Sequence, residues 1–175
     1  ITEEFADCDT VNICANLPYY ITSPVIMKLL ESRLPISTIA VMVQKEAADR
    51  LCAEVGSRAA GAVTVAVNYY AEAQTLFGVP RTSFLPPPNV DSAVIKLTLR
   101  DMPPVEVKDE KLFFQIVKAC FAQRRKILIN TVCNTLGLDK NVFRAVLNKS
   151  GIPETVRGEA LTMEQLASIA NALCE

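Results

Sequence analysis

The stretch Thr10-Val11-Asn12-Ile13-Cys14-Ala15-Asn16-Leu17-Pro18-Tyr19 predicts a strand that ends in a polar turn. Its first part, 10–15, is apolar and partly β-branched, as strands are. A polar amide, a proline and an aromatic residue follow directly. Folds of the α/β type place ligand chemistry at the carboxyl end of a strand. We therefore expect a chemical site at 16–19.

The pattern that follows indicates an α/β unit and then a helical region. Ser23-Pro24 is predicted to supply the N-cap and first residue of a helix that continues to about Arg33. Further strands are predicted at 37–44, 71–79 and 92–99, and further helices at 45–53, 61–70, 111–122, 125–136, 140–149 and 162–174. Asp101-Met102-Pro103-Pro104 marks a domain boundary, so we expect an α/β part at 1–100 and an all-helical part at 101–175.

The composition restricts the class of protein. Half of the 175 residues are hydrophobic and 21% are charged, which argues against global disorder. No apolar run approaches the ~20 residues of a membrane span, so we expect a soluble, cytoplasmic protein with no membrane partner. The six cysteines are scattered, and histidine is absent. We therefore expect buried, reduced thiols, no metal site, and none of the nucleophile schemes that need histidine.

Charge is distributed unevenly along the chain. Residues 1–110 carry 9 Lys and Arg against 14 Asp and Glu, whereas residues 111–160 carry 9 against 3. A basic segment after an acidic one suggests an anionic partner, such as a nucleic acid, on one side of the molecule. The alternative interpretation is a solvated helix face.

The tetrapeptide 16–19 has the groups needed to hold a planar base with an exocyclic amine. The Asn16 side-chain oxygen and a backbone carbonyl, that of Leu17 or Pro18, would accept the two N–H bonds of the amine. The nitrogen lone pair would then point at an electrophile, which is catalysis by positioning and electrostatic preorganisation. Tyr19 would offer a stacking face, and the alternative for this aromatic ring is ordinary core packing.

The segment 80–91 is predicted to be a stiff loop, because Pro86-Pro87-Pro88 excludes both helix and ladder bonds. Such a loop suits a binding wall, although an edge crossing would look similar. Phe84, just before the prolines, is our candidate for a second aromatic on the opposite side of the base.

Four motifs together resemble the ribosomal RNA adenine dimethyltransferases, and most closely the bacterial small-subunit branch. They are NLPYYITSP at 16–24, VMVQKEAADRL at 41–51, FLPPPNVDSAVIKL at 84–97 and FAQRRK at 121–126. The resemblance implies the C-terminal part of a Rossmann-like methyltransferase domain, followed by a small helical RNA-binding domain. It also implies S-adenosylmethionine as methyl donor and the 16S rRNA of the small ribosomal subunit as partner.

The resemblance assigns roles to residues of the α/β part. It implies that Asn16 lies at the donor site and contacts the target amine, that Pro18 supplies backbone geometry, and that Tyr19 stacks on the flipped adenine. Phe84 corresponds to the aromatic that closes over the base. Lys45 belongs to a family signature that we interpret as mainly structural. The alternative interpretation is that Lys45 lies near RNA.

In the helical part, the resemblance implies phosphate contact by Arg124, Arg125 and Lys126. Arg157 and Glu159 lie in an Arg-Gly-Glu stretch that resembles the family pattern. Two interpretations of this pair remain open: an internal ion pair and contact with RNA.

One departure from the family pattern concerns the methyl donor. In the family a glycine-rich turn and two acidic residues precede the tetrapeptide, whereas the first glycine here is Gly56. We therefore expect a fragment that lacks most of the donor pocket and is inactive alone. Two alternatives remain open: a large-subunit methyltransferase of the macrolide-resistance type, and a non-catalytic ribosome-assembly or transcription factor that binds RNA.

Overall fold

A computed structural model describes residues 9–32, 34–123 and 125–174. The strands are β1 (Val11–Asn16), β2 (Ile36–Gln44), β3 (Ala71–Val79) and β4 (Ser92–Leu99). The helices are α1 (Thr22–Leu30), α2 (Lys45–Leu51), α3 (Ala62–Tyr70), α4 (Glu110–Ala122), α5 (Leu128–Leu136), α6 (Lys140–Lys149) and α7 (Met163–Leu173). Short 3-10 turns occur at Tyr19–Ile21, Arg81–Ser83 and Gly158–Ala160.

The four strands form one mixed sheet in the order β1-β2-β4-β3. Strands β1 and β2 are parallel and are joined through α1, whereas β4 runs antiparallel to both of its neighbours, β2 and β3. One face of β2 is fully buried, with Ile39, Val41 and Val43 at 0–1% exposure. These apolar side chains form the centre of the sheet's core.

The strand directions bring four strand ends to one edge of the sheet. Asn16 and Gln44 end the parallel strands β1 and β2. Ser92 begins β4 and is in register with both Gln44 of β2 and Val79, the last residue of β3. Residues that are distant in sequence therefore meet at this edge, which is the expected place for a ligand site.

Contacts divide the described chain into two compact units. One holds residues up to Ala53 together with Ala66–Pro103, and the other holds Glu54–Val65 and the residues from Pro104 onward. The first contains the sheet, α1 and α2. The second contains α4 to α7. The functional domain assignment, 1–100 and 101–175, stays a prediction.

The start of α1 corrects the sequence prediction. The helix begins at Thr22 rather than after a Ser23 cap, and it ends at Leu30. The reason is the 3-10 turn Tyr19–Ile21, which directly precedes Thr22. The backbone is therefore already helical before Ser23, and no cap is needed there. Pro24 is the third helical residue, where a missing N–H costs no helical hydrogen bond.

The helical unit has clear boundary signals. Asp109 caps α4, Asp139 caps α6, and Thr162 forms the predicted capping box with Gln165 at the start of α7. Gly137 ends α5 in the left-handed conformation, with φ 69°. Helix α4 packs on α5 and α7, around buried side chains such as Phe113.

The expectation of buried thiols is only partly right. Cys120 and Cys133 are buried, but Cys14 and Cys174 are exposed and Cys52 is intermediate. Cys14 lies on the face of β1 whose side chains alternate outward, so strand periodicity exposes it. Burial raises the pKa of the Cys120 thiol to about 12, which keeps it neutral. Cys8 lies outside the described residues.

Among the described residues, no helix combines the length and the apolar character that crossing a membrane would demand.

We expect any side chain at Gly158 to disturb the packing of the helical unit. A Cβ at this position would overlap the backbone carbonyl of Cys120 and lie 2.8 Å from its Cβ. Gly158→Ala should therefore lower the free energy of unfolding by about 1–3 kcal/mol, measured as a lower urea midpoint. Gly78→Ala in β3, where nothing lies within 4 Å of an added Cβ, is the matched control. Equal midpoints for the two variants would contradict the packing argument.

Candidate functional site

A cavity of about 350 Å³ lies at the sheet edge where β1 ends. Its lining residues come from the tetrapeptide and from the proline-rich loop: Asn16, Leu17, Pro18, Tyr19, Phe84, Pro86 and Pro88. The four residues that the sequence predicted for the chemical site thus lie around one cavity. Two segments separated by more than sixty residues of chain contribute to it.

Asn16 is one of the residues that line this cavity. It is the last residue of β1 and lies on the outward-facing side of the strand, where its side chain is exposed. Within the part of the chain that the structure describes, the amide makes no hydrogen bond. An amide without an internal partner has its oxygen available as an acceptor for a ligand.

The two candidate backbone carbonyls differ in their hydrogen bonding. The Pro18 oxygen accepts the Ile21 N–H at 3.1 Å and the Thr22 hydroxyl at 3.4 Å. Both bonds belong to the turn that leads into α1. Among the described residues, no donor reaches the Leu17 oxygen. A ligand can therefore use the Leu17 carbonyl without breaking a bond of the turn.

Tyr19 is held by a contact with β4. Its hydroxyl lies 2.7 Å from the hydroxyl of Ser92, whose side chain is 1% exposed. The tyrosine itself is half-buried, so one part of the ring stays open to the cavity. A buried partner at the far end of the ring fixes its orientation, as a stacking surface requires.

The loop 80–91 is closed at its base by Asp91. The carboxylate accepts the Arg81 N–H at 2.9 Å, and the Asp91 carbonyl accepts the Lys45 N–H at 3.0 Å. The Arg81 guanidinium adds a bond of 3.3 Å to the Asn89 carbonyl. Phe84 follows the 3-10 turn in extended conformation and is half-buried at the cavity wall. The loop is thus a wall of the cavity.

Lys45 lies at a second, more polar cavity of about 470 Å³ in the same unit. Its ammonium group pairs with Asp49 at 3.1 Å, and both side chains are exposed. An exposed pair of this kind contributes little free energy. The ammonium group is therefore accessible to an anion, although Glu46 and Asp91 also line the cavity.

The predicted phosphate-contacting cluster belongs to the helical unit. Arg125 and Lys126 are exposed in the connection between α4 and α5, and the Lys126 N–H donates to the Gln123 carbonyl at 2.9 Å. Arg124 lies outside the described residues. Arg157 is exposed and Glu159 is half-buried at the Gly158–Ala160 turn.

Sequence reasoning missed Ser92 and Asp91 as parts of the site. Both lie inside the motif at 84–97, but the resemblance assigned them no role, and a serine at the start of a strand or an aspartate in a loop is too common to single out. Tyr19, which contacts Ser92, and Lys45, whose N–H donates to the Asp91 carbonyl, come from other segments, whereas Arg81 lies at the other end of the same loop. Only the pairing of β4 between β2 and β3 brings these groups together.

The comparison with known families identifies the group to which this protein is related. Residues 1–175 match the family described as "Ribosomal RNA adenine dimethylase". The chain belongs to this family.

Proteins named "Ribosomal RNA small subunit methyltransferase A" are similar over nearly the whole chain. The protein from Geobacillus sp. (strain WCH70) is 51% identical and that from Geobacillus thermodenitrificans (strain NG80-2) is 53% identical, each over 176 residues. In both cases the match covers 99% of this chain and 60% of the relative. The chain therefore spans about 60% of the length of these curated relatives.

Solved structures support the predicted fold class. A dimethyladenosine transferase from Plasmodium falciparum superimposes with a TM-score of 0.75 at 26% identity, covering 90% of this chain and 64% of the other. The 23S rRNA methyltransferase ErmE superimposes with a TM-score of 0.69 at 23% identity, covering 96% of this chain and 67% of the other. This likeness concerns the fold alone. The predicted α/β, Rossmann-like methyltransferase fold is confirmed.

Asp91 is expected to control the mobility of the loop wall. Asp91→Ala removes the acceptor of the Arg81 N–H, so the loop should open more often and trypsin should cleave after Arg81 faster. A hydrogen bond of this type corresponds to roughly a twofold to tenfold change in the open population. The measurement is the rate of limited proteolysis at the Arg81-Thr82 bond. Asp101→Ala, an exposed acid beyond β4, is the control, and equal rates in the two variants would contradict this role.

Proposed function

We propose that the protein containing this chain transfers methyl groups from S-adenosylmethionine to the exocyclic amines of adenines in 16S rRNA of the small ribosomal subunit. The observation that carries the proposal is the cavity that combines Asn16, the Leu17 carbonyl, Tyr19 and Phe84. Membership of the family and about 50% identity to small-subunit methyltransferases support the same reaction and substrate.

The residues of the cavity would act by holding the amine. The Asn16 side-chain oxygen and the Leu17 carbonyl each accept one N–H of the adenine amine, which draws the nitrogen toward tetrahedral geometry. Its lone pair then points out of the ring plane and toward the methyl donor. The Pro18 carbonyl keeps its bonds to Ile21 and Thr22, and so holds the backbone of the turn in place. Preorganised acceptors of this kind lower the barrier without a strong base.

The two aromatic side chains would hold the base. Tyr19, oriented by Ser92, provides one stacking surface, and Phe84 on the loop wall provides the second. An adenine must leave its stack to reach such a cavity, and stacking between aromatic rings offsets part of that cost. The half-buried state of both rings leaves surface that a base can cover.

S-adenosylmethionine, when bound, supplies an electrophilic methyl group on a positively charged sulfur. The open amide of Asn16 at the carboxyl end of β1 fits contact with this donor as well as with the amine. The target nitrogen gains the methyl group and loses a proton to solvent, while the electrons of the broken bond remain on sulfur.

The RNA would be held outside the cavity by the helical unit. The basic cluster Arg124, Arg125 and Lys126 is suited to phosphate contact, and the exposure of Arg125 and Lys126 supports this role. Because ribosomal subunits are the proposed partner, we place the protein in the cytoplasm. Lys45, at the polar cavity, is a further candidate for contact with RNA.

The substrate assignment predicts methylation of small subunits. The gene product that contains these residues should methylate small subunits purified from a strain that lacks this modification. Digestion to nucleosides should yield N6,N6-dimethyladenosine, detected by mass spectrometry. Large subunits treated in parallel serve as the control. Methylation confined to large-subunit RNA would favour the large-subunit alternative, and RNA binding without any methylation would favour an assembly factor.

Asn16 is expected to act in the chemical step. Asn16→Ala removes an acceptor that strengthens as the nitrogen becomes tetrahedral, so kcat should fall by about 10²–10³ while the Kd for small subunits stays nearly unchanged. Asn12→Ala is the matched control, since Asn12 is an exposed amide on the same face of β1, roughly 13 Å from Asn16. Equal losses of kcat in the two variants would contradict the role of Asn16.

A further inference from the structure

The outward face of α6 is a second basic surface in the helical unit. Only Phe143, Val146 and Leu147 of this helix are buried. The exposed positions are Lys140, Asn141, Val142, Arg144, Ala145, Asn148 and Lys149. At 100° per residue they form one continuous arc opposite the buried stripe. The arc holds three cations, two amides and no acid.

The charge around this helix is strongly unbalanced. Residues 123–149 contain six Lys and Arg but one acid, Asp139. The Asp139 carboxylate accepts the backbone N–H groups of Asn141 at 2.8 Å and Val142 at 3.2 Å. It is therefore engaged as the N-cap of α6, where the helix dipole compensates its charge. Helix α5, which packs on α6, contains no charged residue.

The internal partners of Lys140 and Arg144 are weak or neutral. The Lys140 ammonium donates to the Asn130 amide oxygen at 3.0 Å. Arg144 pairs with Glu154 at 3.2 Å, and both side chains are about half exposed. Exposed pairs of this kind contribute little free energy, so a phosphate can replace them at little cost. Lys140 and Arg144 can therefore exchange these partners for an external anion, and Lys149 adds a third exposed positive charge to the same face.

We propose that the outward face of α6 (Lys140, Asn141, Arg144, Asn148 and Lys149) binds the phosphate backbone of RNA. This inference rests on the proposed function for its partner, and it adds a contact surface that is separate in sequence from the cluster at 124–126. A helix of ten residues is ~15 Å long, which is enough to reach several successive phosphates of one strand. The two asparagines add neutral donors to phosphate or ribose oxygens.

The test replaces the three cations of α6 in the gene product that contains this chain. Lys140→Gln, Arg144→Gln and Lys149→Gln are combined, because glutamine retains helix propensity. Binding to unmethylated small subunits and to a plain RNA duplex is measured over a range of salt concentrations. We expect the affinity to fall by on the order of tenfold to a hundredfold and the salt slope to decrease by about 2–3 units, with ~0.7–0.9 per lost contact.

The matched control removes the same number of charges elsewhere in the helical unit. Lys108→Gln, Lys111→Gln and Lys118→Gln lie at exposed positions in a segment, 104–118, that has three cations and three acids. This variant should retain both the affinity and the salt slope. Equal losses in the two triple variants would overturn the proposal, because they would reflect net charge rather than a surface.

A second variant tests the surface by a gain of affinity. Glu154→Gln removes the acid that faces Arg144, so RNA binding should become roughly twofold to fivefold tighter. Misfolding would not produce tighter binding. Unchanged or weaker binding by Glu154→Gln would count against the proposed role of Arg144.

The experiment separates this inference from the proposed function. If the wild-type protein methylates small subunits but the α6 variant binds like the control, the surface is refuted and the reaction stands. If the wild-type protein does not methylate but the α6 variant alone loses RNA binding, the surface stands and the reaction is refuted.

Discussion

The site depends on the pairing of β4 between β2 and β3, because this pairing fixes where Asp91 and Ser92 lie. The Asp91 carboxylate bonds the backbone of Arg81, and its carbonyl bonds the first residue of α2. The next residue, Ser92, holds the hydroxyl of Tyr19. Two consecutive residues thus connect the proline-rich loop, the end of β2 and the tetrapeptide after β1. Strand β4 therefore fixes the positions of Tyr19 and Phe84 relative to each other.

Local hydrogen bonds determine which acceptors beside the cavity already have an internal partner. Pro18 begins the turn into α1, and its carbonyl is occupied by Ile21 and Thr22. This leaves the Leu17 carbonyl and the Asn16 amide as two acceptors on adjacent residues. Two acceptors match the two N–H bonds of an adenine amine. The same turn that starts the helix therefore engages the Pro18 oxygen and leaves the Leu17 oxygen without a donor among the described residues.

In the helical unit, the placement of acids matters as much as the number of bases. Asp139 is engaged at the N-terminus of α6, and Glu154 is paired with Arg144 on the surface. The first acid leaves the outward face of the helix basic, whereas the second moderates one of its cations. A helix can therefore present a positive face within a chain whose net charge is −1.

Local sequence signals determined most of the elements of this protein. The alternation of β1, the helical periods of α4 to α7 and the capping box at Thr162 depend on neighbouring residues, so the sequence alone predicts them. Asn16, Pro18, Tyr19 and Phe84 were proposed as site residues from local patterns and from the resemblance, and the structure places all four around one cavity. Tertiary structure decided what depends on distant partners. The Ser92–Tyr19 contact, the bond from the Lys45 N–H to the Asp91 carbonyl and the position of β4 join segments that no local pattern relates. The start of α1 was mispredicted because a 3-10 turn, which has no strong sequence signal, supplied the first turn instead of Ser23. Hydrogen bonds between residues far apart in the chain become predictable only when the strand order is known, since that order sets which side chains meet.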